Sequence, residues 1–330
     1  MGFLVYKAVG STGRLSDGEE GYLPVLSRRI LVTESLPLPI RGPGSKEFSF
    51  EKLLAAGESD SLEHQSLTVQ MVSNPAWYAV MALPYLMEYP YECTEQTFNR
   101  LYANSLARHI AAGDPKIRRI FDQWKGTDAL DSPMEKNQDL KSVMLEETPW
   151  VRQAKKESEA RRNVGILFDS NRLNEETTRL LRRLGELQLA DGAWPWFPGG
   201  RANDYITLYI TTGFGQLRHL GAEVDVSMAV KSLQRLDRWI NERYRSIKPE
   251  KRNEFHLTSR IALYLYGRSF FLDDLPVDAD SKEAVDYFLN QARKHWLRLA
   301  NRQSQAHLAI ALKRFGDKTV PGDIMRSIKE

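Results

Sequence analysis

The sequence predicts a mainly α chain, an α/α array or incomplete ring of helical hairpins preceded by a small β module. Three observations carry this. Apolar residues after Asn74-Pro75 recur with a helical period. Glycine-containing breaks divide that region into segments of hairpin length. Before Ser73, runs rich in β-branched and aromatic residues alternate with Gly and Pro clusters.

Residues 1–72 form the expected β module. Phe3–Val9, Arg29–Thr33 and Leu67–Val72 have strand composition, and Glu47-Phe48-Ser49-Phe50 alternates with period two. Turns are expected at Gly10-Ser11-Thr12-Gly13 and over Pro37–Gly44. Residues 73–330 form the expected helical domain. Leu180, Leu181, Leu184 and Leu187 make one apolar stripe; Val285, Phe288, Leu289, Ala292 and Trp296 make another, and Leu308, Ala311, Leu312 and Phe315 a third. Breaks fall at Gly113-Asp114-Pro115, Asp191-Gly192, Gly199-Gly200, Gly221 and Gly316, which gives roughly five hairpins by pattern counting. The candidate helix from Gly322 reaches Glu330 with no stop signal, and the β module reads as partial. A piece of a longer chain is therefore expected, truncated within the helical domain.

Bulk composition excludes several classes. With 42% hydrophobic and 27% charged residues the chain is of ordinary globular type, and no apolar run approaches the ~20 residues of a membrane span. The net charge of +3 arises from 46 basic against 43 acidic side chains, so neither nucleic acid nor an anionic membrane is implied. Lys155-Lys156 and Arg161-Arg162 are interleaved with Glu157, Glu159 and Asp169, the pattern of a solvated helix face. One cysteine rules out an internal disulfide and a multi-cysteine metal site. Met1-Gly2-Phe3-Leu4-Val5 lacks the features of a signal peptide. No cofactor or metal is expected.

That single cysteine lies in Tyr89-Pro90-Tyr91-Glu92-Cys93-Thr94-Glu95-Gln96, which opens a helix with Phe98, Leu101, Tyr102 and Leu106 on its apolar face. A spacing of three on the first turn brings the side chains of Cys93 and Gln96 within reach of each other. A thiol and a carboxamide so placed can close a thioester with loss of ammonia, and free N–H groups at the helix start can stabilise charge when its acyl carbon is attacked. The bland reading of a lone cysteine, a small buried hydrophobe, leaves its neighbours unexplained.

The order Cys93-x-Glu95-Gln96 resembles the thioester motif of the alpha-2-macroglobulin and complement family, and Tyr89 through Phe98 is similar to its bacterial branch. The likeness extends over Tyr22–Arg28, Thr33–Gly42, Ser73–Ala79 and Asp191–Gly200. It implies a helical thioester domain inserted in a CUB-like β domain, residues 1–72 holding the end of a macroglobulin-like module and the first part of that domain. The implied function is broad-spectrum endopeptidase inhibition in the periplasm or cell envelope, with target proteases trapped covalently and the remaining macroglobulin domains of the parent chain as further partners. It is a single-turnover trap, not an enzyme. Cys93 and Gln96 would form the bond, Thr94 and Glu95 would support the motif, and Tyr85, Tyr89, Tyr91, Trp194, Trp196 and Phe197 would shield it. For each of those aromatics, packing in the core or a loop is the competing role; for Glu95 it is service to the helix dipole. The loop Trp194–Asn203 has no histidine to relay the acyl group to a hydroxyl, so direct attack by a lysine amine is implied.

Three rivals remain. Leu187 through Trp194 resembles the Gln…Asp-Gly-x-Trp repeats of triterpene cyclases, also α/α toroids, for which Asp273-Asp274 and Asp278-x-Asp280 are the nearest acids. A cysteine hydrolase needs a histidine partner, and His64, His109, His219, His256, His295 and His307 fall in no partner motif. A passive helical-repeat scaffold accounts for the hairpins alone.

Overall fold

The computed structural model describes residues 2–25, most of 32–71, 76–113 and 169–329, together with Arg119, Gln123 and Leu167. It divides into two compact units, the first running to Val69 and the second starting at Gln70.

In the first unit, β1 (Gly2–Ser11) and β2 (Ser16–Val25) pair antiparallel, in register from Gly2↔Val25 to Ser11↔Ser16. The turn is closed by Thr12 N–H donating to the Leu15 carbonyl at 2.9 Å, and Gly13 takes the left-handed φ of +82°. The expected first strand and its turn signal are therefore present. Ser16–Val25 carries Asp17, Gly18, Glu19, Glu20 and Gly21 and has little strand propensity of its own; the ladder recruits it. Gly21 faces Tyr6 in the register, and a Cβ there would lie 2.4 Å from the Tyr6 ring.

The expectation of a strand at Glu47–Phe50 is corrected. That run is irregular and leads into the short helix α1 (Glu51–Ala55); among the described residues no strand pairs with it, and four alternating residues form a strand only with a ladder to join. Of the expected strand Leu67–Val72, Leu67, Val69 and Met71 are exposed and outside any strand, and Thr68, Gln70 and Val72 lie outside the described residues. Arg29–Leu31 and Thr33 lie outside the described residues, as do Lys155–Arg162.

The second unit holds α2 (Ala76–Met87), α3 (Thr94–Gly113), α4 (Ser170–Leu187), α5 (Asp204–His219), α6 (Ser227–Arg245), α7 (Ser259–Arg268), α8 (Ala279–His295), α9 (Arg302–Arg314) and α10 (Val320–Lys329). Helices α3, α5, α7 and α9 pack on one another in succession as one layer, while α4 backs α3, α6 backs α5, α8 packs on α6, and α10 covers α9. This two-layer alternation is the α/α-toroid pattern. The only pairing seen here among the described residues is an isolated bridge, Pro195↔Ala202.

Local sequence explains where these helices start and stop. Asp169, Asn203, Thr258, Asp278 and Asn301 each accept, through the side chain, the N–H of the third helical residue, satisfying one donor that a helix start leaves open. Gly221 and Gly316 end α5 and α9 with left-handed φ values of +86° and +91°. Each is followed by a Schellman bond, Ala222 N–H to the Leu217 carbonyl and Asp317 N–H to that of Leu312. The apolar stripes then meet. Leu180, Leu184 and Leu187 bury against Trp194, Ile206 and Phe214, and Val285, Phe288, Leu289, Leu308 and Leu312 share a second cluster with Trp239 and Tyr264. Among the described residues, no helix is long and apolar enough to cross a membrane.

A buried ion pair joins α6 to α7. Asp237 and Arg268 are 2% and 1% exposed. The carboxylate accepts from Arg268 Nε at 3.0 Å and from the Tyr264 hydroxyl at 2.7 Å, and the guanidinium also donates to the Phe271 and Leu275 carbonyls.

Candidate functional site

Helix α3 begins at Thr94, and the Cys93 carbonyl accepts both the Thr97 N–H at 2.9 Å and the Thr97 hydroxyl at 3.0 Å. Cys93 is thus the N-cap residue and Gln96 the third helical residue. In a capping box the side chain at each of these positions bonds the backbone N–H of the other. Both residues are half-buried.

The approach to Cys93 is braced from behind. Arg100 donates to the Met87 carbonyl at 3.2 Å and lies 3.7 Å from Glu92, whose carboxylate is also 3.5 Å from Arg179. Tyr85, Tyr89 and Tyr91 form an edge-to-face series with centroids 5.6 and 5.5 Å apart; Tyr85 and Tyr91 are exposed and Tyr89 half-buried.

The loop from Trp194 to Asn203 docks on the helix start, Trp196 accepting the Thr94 N–H on its carbonyl at 3.0 Å. The three aromatics named in this loop occupy different places. Trp194 is wholly buried and is the loop's anchor, its indole donating to the Leu184 carbonyl and its N–H to the Thr207 hydroxyl. Trp196, 40% exposed, stacks on Tyr205, which stacks on Tyr209. Phe197 is exposed.

Glu95 links the motif to the neighbouring helix. The Cys93 thiol lies within sulfur hydrogen-bonding reach of Glu95 Oε2, at 3.9 Å. Asn99 Nδ2 donates to Oε1 at 2.5 Å, and the Tyr209 hydroxyl donates to Asn99 Oδ1 at 2.7 Å. Burial, and then the Glu95 charge, push the Tyr209 phenol up to about 12, so it remains a donor and fixes which end of the Asn99 amide faces Glu95. Asn99 and Tyr209 escaped the sequence reading. Asn99 sits four residues after Glu95, a helix-face spacing that could have flagged it; Tyr209 is brought in only by packing of α5 on α3.

Several residues named for the rival readings have structural partners. Asp274 pairs with Arg218 at 2.8 Å, whose hydrogen bond holds its carboxyl below the usual range, and Asp278 caps α8. His219, His295 and His307 pack on Phe270, Phe255 and Tyr266, and His256 bonds the Lys251 carbonyl. Among the described residues no group of three His, Cys, Asp or Glu side chains could hold a metal ion.

Compared with known proteins, the chain matches no family model and no curated protein. Among solved structures it is similar to the native conformation of alpha-2-macroglobulin from E. coli, with a TM-score of 0.43 and 16% identity over 76% of this chain and 12% of that one. It is also similar to the crystal structure of native alpha-2-macroglobulin from Escherichia coli spanning domain MG7 to the C-terminus, with a TM-score of 0.42 and 17% identity over 74% of this chain and 30% of that one. The chain therefore spans under a third of the length of either.

Proposed function

We propose that this chain carries a Cys93–Gln96 thioester and acts as the thioester domain of a covalent protease trap. The observation that carries the reading is the cysteine at the N-cap of α3 with glutamine three residues on, a spacing that puts both side chains at the same helix start, each within reach of the other's backbone. Closure forms the bond from Cys93 Sγ to Gln96 Cδ and breaks the amide C–N bond, the nitrogen leaving as ammonia with the thiol proton. Glu95, whose Oε2 lies 3.9 Å from the thiol and whose Oε1 is bonded by Asn99, itself bonded by Tyr209, would take that proton and return it to the departing nitrogen. Attack by a lysine amine of a captured protease then forms an amide at Gln96 and releases Cys93 as leaving group. Helix geometry leaves the Glu95 and Gln96 N–H groups without partners inside the helix, where charge on the acyl oxygen would build. The Tyr85–Tyr89–Tyr91 series and the Trp196 loop would limit water until activation. The trap would work in the periplasm or cell envelope, inside a longer protein whose other domains complete the cover.

Peptide mass mapping tests this directly. An intact ring makes the 89–100 segment lighter by one ammonia, and a ring that has formed and hydrolysed leaves glutamate at position 96 beside a free Cys93 thiol. Unmodified Gln96 throughout, with no methylamine uptake on activation of the longer protein, would sink the proposal. In that protein, preference for glycerol over methylamine would overturn the lysine assignment.

A further inference from the structure

A cavity of about 1070 Å³ lies where α7 and α9 begin, with Phe98 and Tyr102 of α3 and Tyr209 of α5 among its walls. Its charge is one-sided. Arg243 and Arg260 line it together with His307, and no Asp or Glu is among the described residues that line it. Burial lowers the pKa of His307, so the arginines carry the charge at neutral pH. Each guanidinium rests over an aromatic face, Arg260 above Tyr205 at 5.6 Å and Arg243 above Trp239 at 5.8 Å. Neither has a carboxylate partner among the described residues, so their N–H forks are held in place yet unspent.

Two further observations have the same sign. Helices α7 and α9 present their N-terminal turns to the space through Ser259 and Ser304, and helix starts favour negative charge. Trp239, only 4% exposed, also lines the cavity, and its indole N–H has no partner among the described residues. A buried donor without an acceptor calls for a specific explanation, and a ligand oxygen supplies one. Phe98, Tyr102, Leu86 and Leu263 give the wall an apolar stretch, beside which Asn99, Thr212, Gln216 and Gln303 also line the space.

We infer that this cavity binds a small organic anion, a carboxylate carried on an aromatic or other apolar body. The carboxylate takes the arginine forks and the helix-start donors, and the body fills the aromatic wall. The inference does not rest on the thioester reading, although Asn99 and Tyr209, which hold Glu95, also line the cavity.

The experiment titrates the whole chain with 4-phenylbutyrate and with its neutral amide, by calorimetry and tryptophan fluorescence. The acid is expected to bind at least about tenfold more tightly than the amide. The double variant Arg243→Gln/Arg260→Gln removes that preference while leaving the thermal midpoint unchanged, because both side chains are exposed. Trp239→Phe weakens the acid more than the amide, and Cys93→Ala changes neither. Equal binding of acid and amide, no saturable binding of the acid, or a preference that survives the double variant overturns the inference.

Discussion

Asp237 and Glu95 are both carboxylates that tie one helix to another, yet the groups around them end differently. Around Asp237 the tyrosine hydroxyl and the arginine nitrogens are consumed within the protein, and both partners are excluded from water. Around Glu95 the chain of donors runs from Tyr209 through Asn99 and finishes on a half-buried thiol. A closed polar network specifies how α6 meets α7; an open one holds a carboxylate at a definite place beside a free thiol. The difference predicts that substitutions in the first region damage the fold, whereas those in the second damage chemistry.

The largest effect is expected at the closed network. Removing one partner strands the other charge in the core, so Arg268→Met should cost about 3–5 kcal/mol in urea unfolding. The double variant Asp237→Leu/Arg268→Met should cost less than that single change, since no charge is then left unpaired. If the single variant loses under about 1 kcal/mol, the pair behaves as a surface ion pair and the comparison breaks.

At the open network the expected loss is kinetic. Glu95→Gln keeps size and hydrogen bonding to Asn99 but cannot accept the thiol proton. Conversion of Gln96, followed by peptide mass, should slow on the order of a hundredfold, the low end for general acid–base groups. The unfolding free energy should stay within ~0.5 kcal/mol, as for other substitutions at half-exposed positions. A fold loss larger than the kinetic loss would make Glu95 a second structural carboxylate.

Tyr209→Phe sharpens the same boundary, because it removes the donor that orients Asn99. A cost of about 1 kcal/mol is expected for one neutral hydrogen bond, with slower Gln96 conversion. The folded-state value is raised from 10.0 to about 12, so the fold favours the protonated phenol. That contribution is complete below pH 10.0 and is lost as pH rises through about 12. Ultraviolet titration of the wild type should show a late-ionising tyrosine that the variant lacks.

The helical region was readable because burial writes a period into the sequence. The stripes at Leu180–Leu187 and Leu308–Phe315 each became a helix, and the breaks at Gly221 and Gly316 became left-handed helix ends. The β module was less readable, since no described residue there is buried and no core imposes an alternation on Ser16–Val25 or denies one to Glu47–Phe50. At the site, the Cys93–Gln96 spacing was legible as local pattern, whereas the bond from the Thr94 N–H to the Trp196 carbonyl joins segments about a hundred positions apart and had no local signal. Nor did the partner of Asn99, because Tyr209 is separated from it by 110 positions and only tertiary packing of α5 on α3 brings them together. Trp194 and Trp196 are two residues apart, and composition could not tell the anchor from the stacked indole.

The smallest stability effect is expected at Cys93 itself, and it carries much of the distinction between the two regions. Its carbonyl, not its sulfur, accepts the Thr97 N–H and hydroxyl, so Cys93→Ala keeps the backbone cap of α3. The side chain contributes one long contact to Glu95 and little buried area. Unfolding should shift by no more than ~0.5 kcal/mol, while Gln96 conversion and methylamine uptake disappear. Serine at the same position separates the two roles further. Its hydroxyl is a better N-cap acceptor than a thiol and should hold or slightly raise stability, but at neutral pH it is a far weaker nucleophile and should leave Gln96 as an amide. If Cys93→Ser still converts Gln96 at the wild-type rate, the conversion is ordinary deamidation at a helix start, and the open network is not a reactive site.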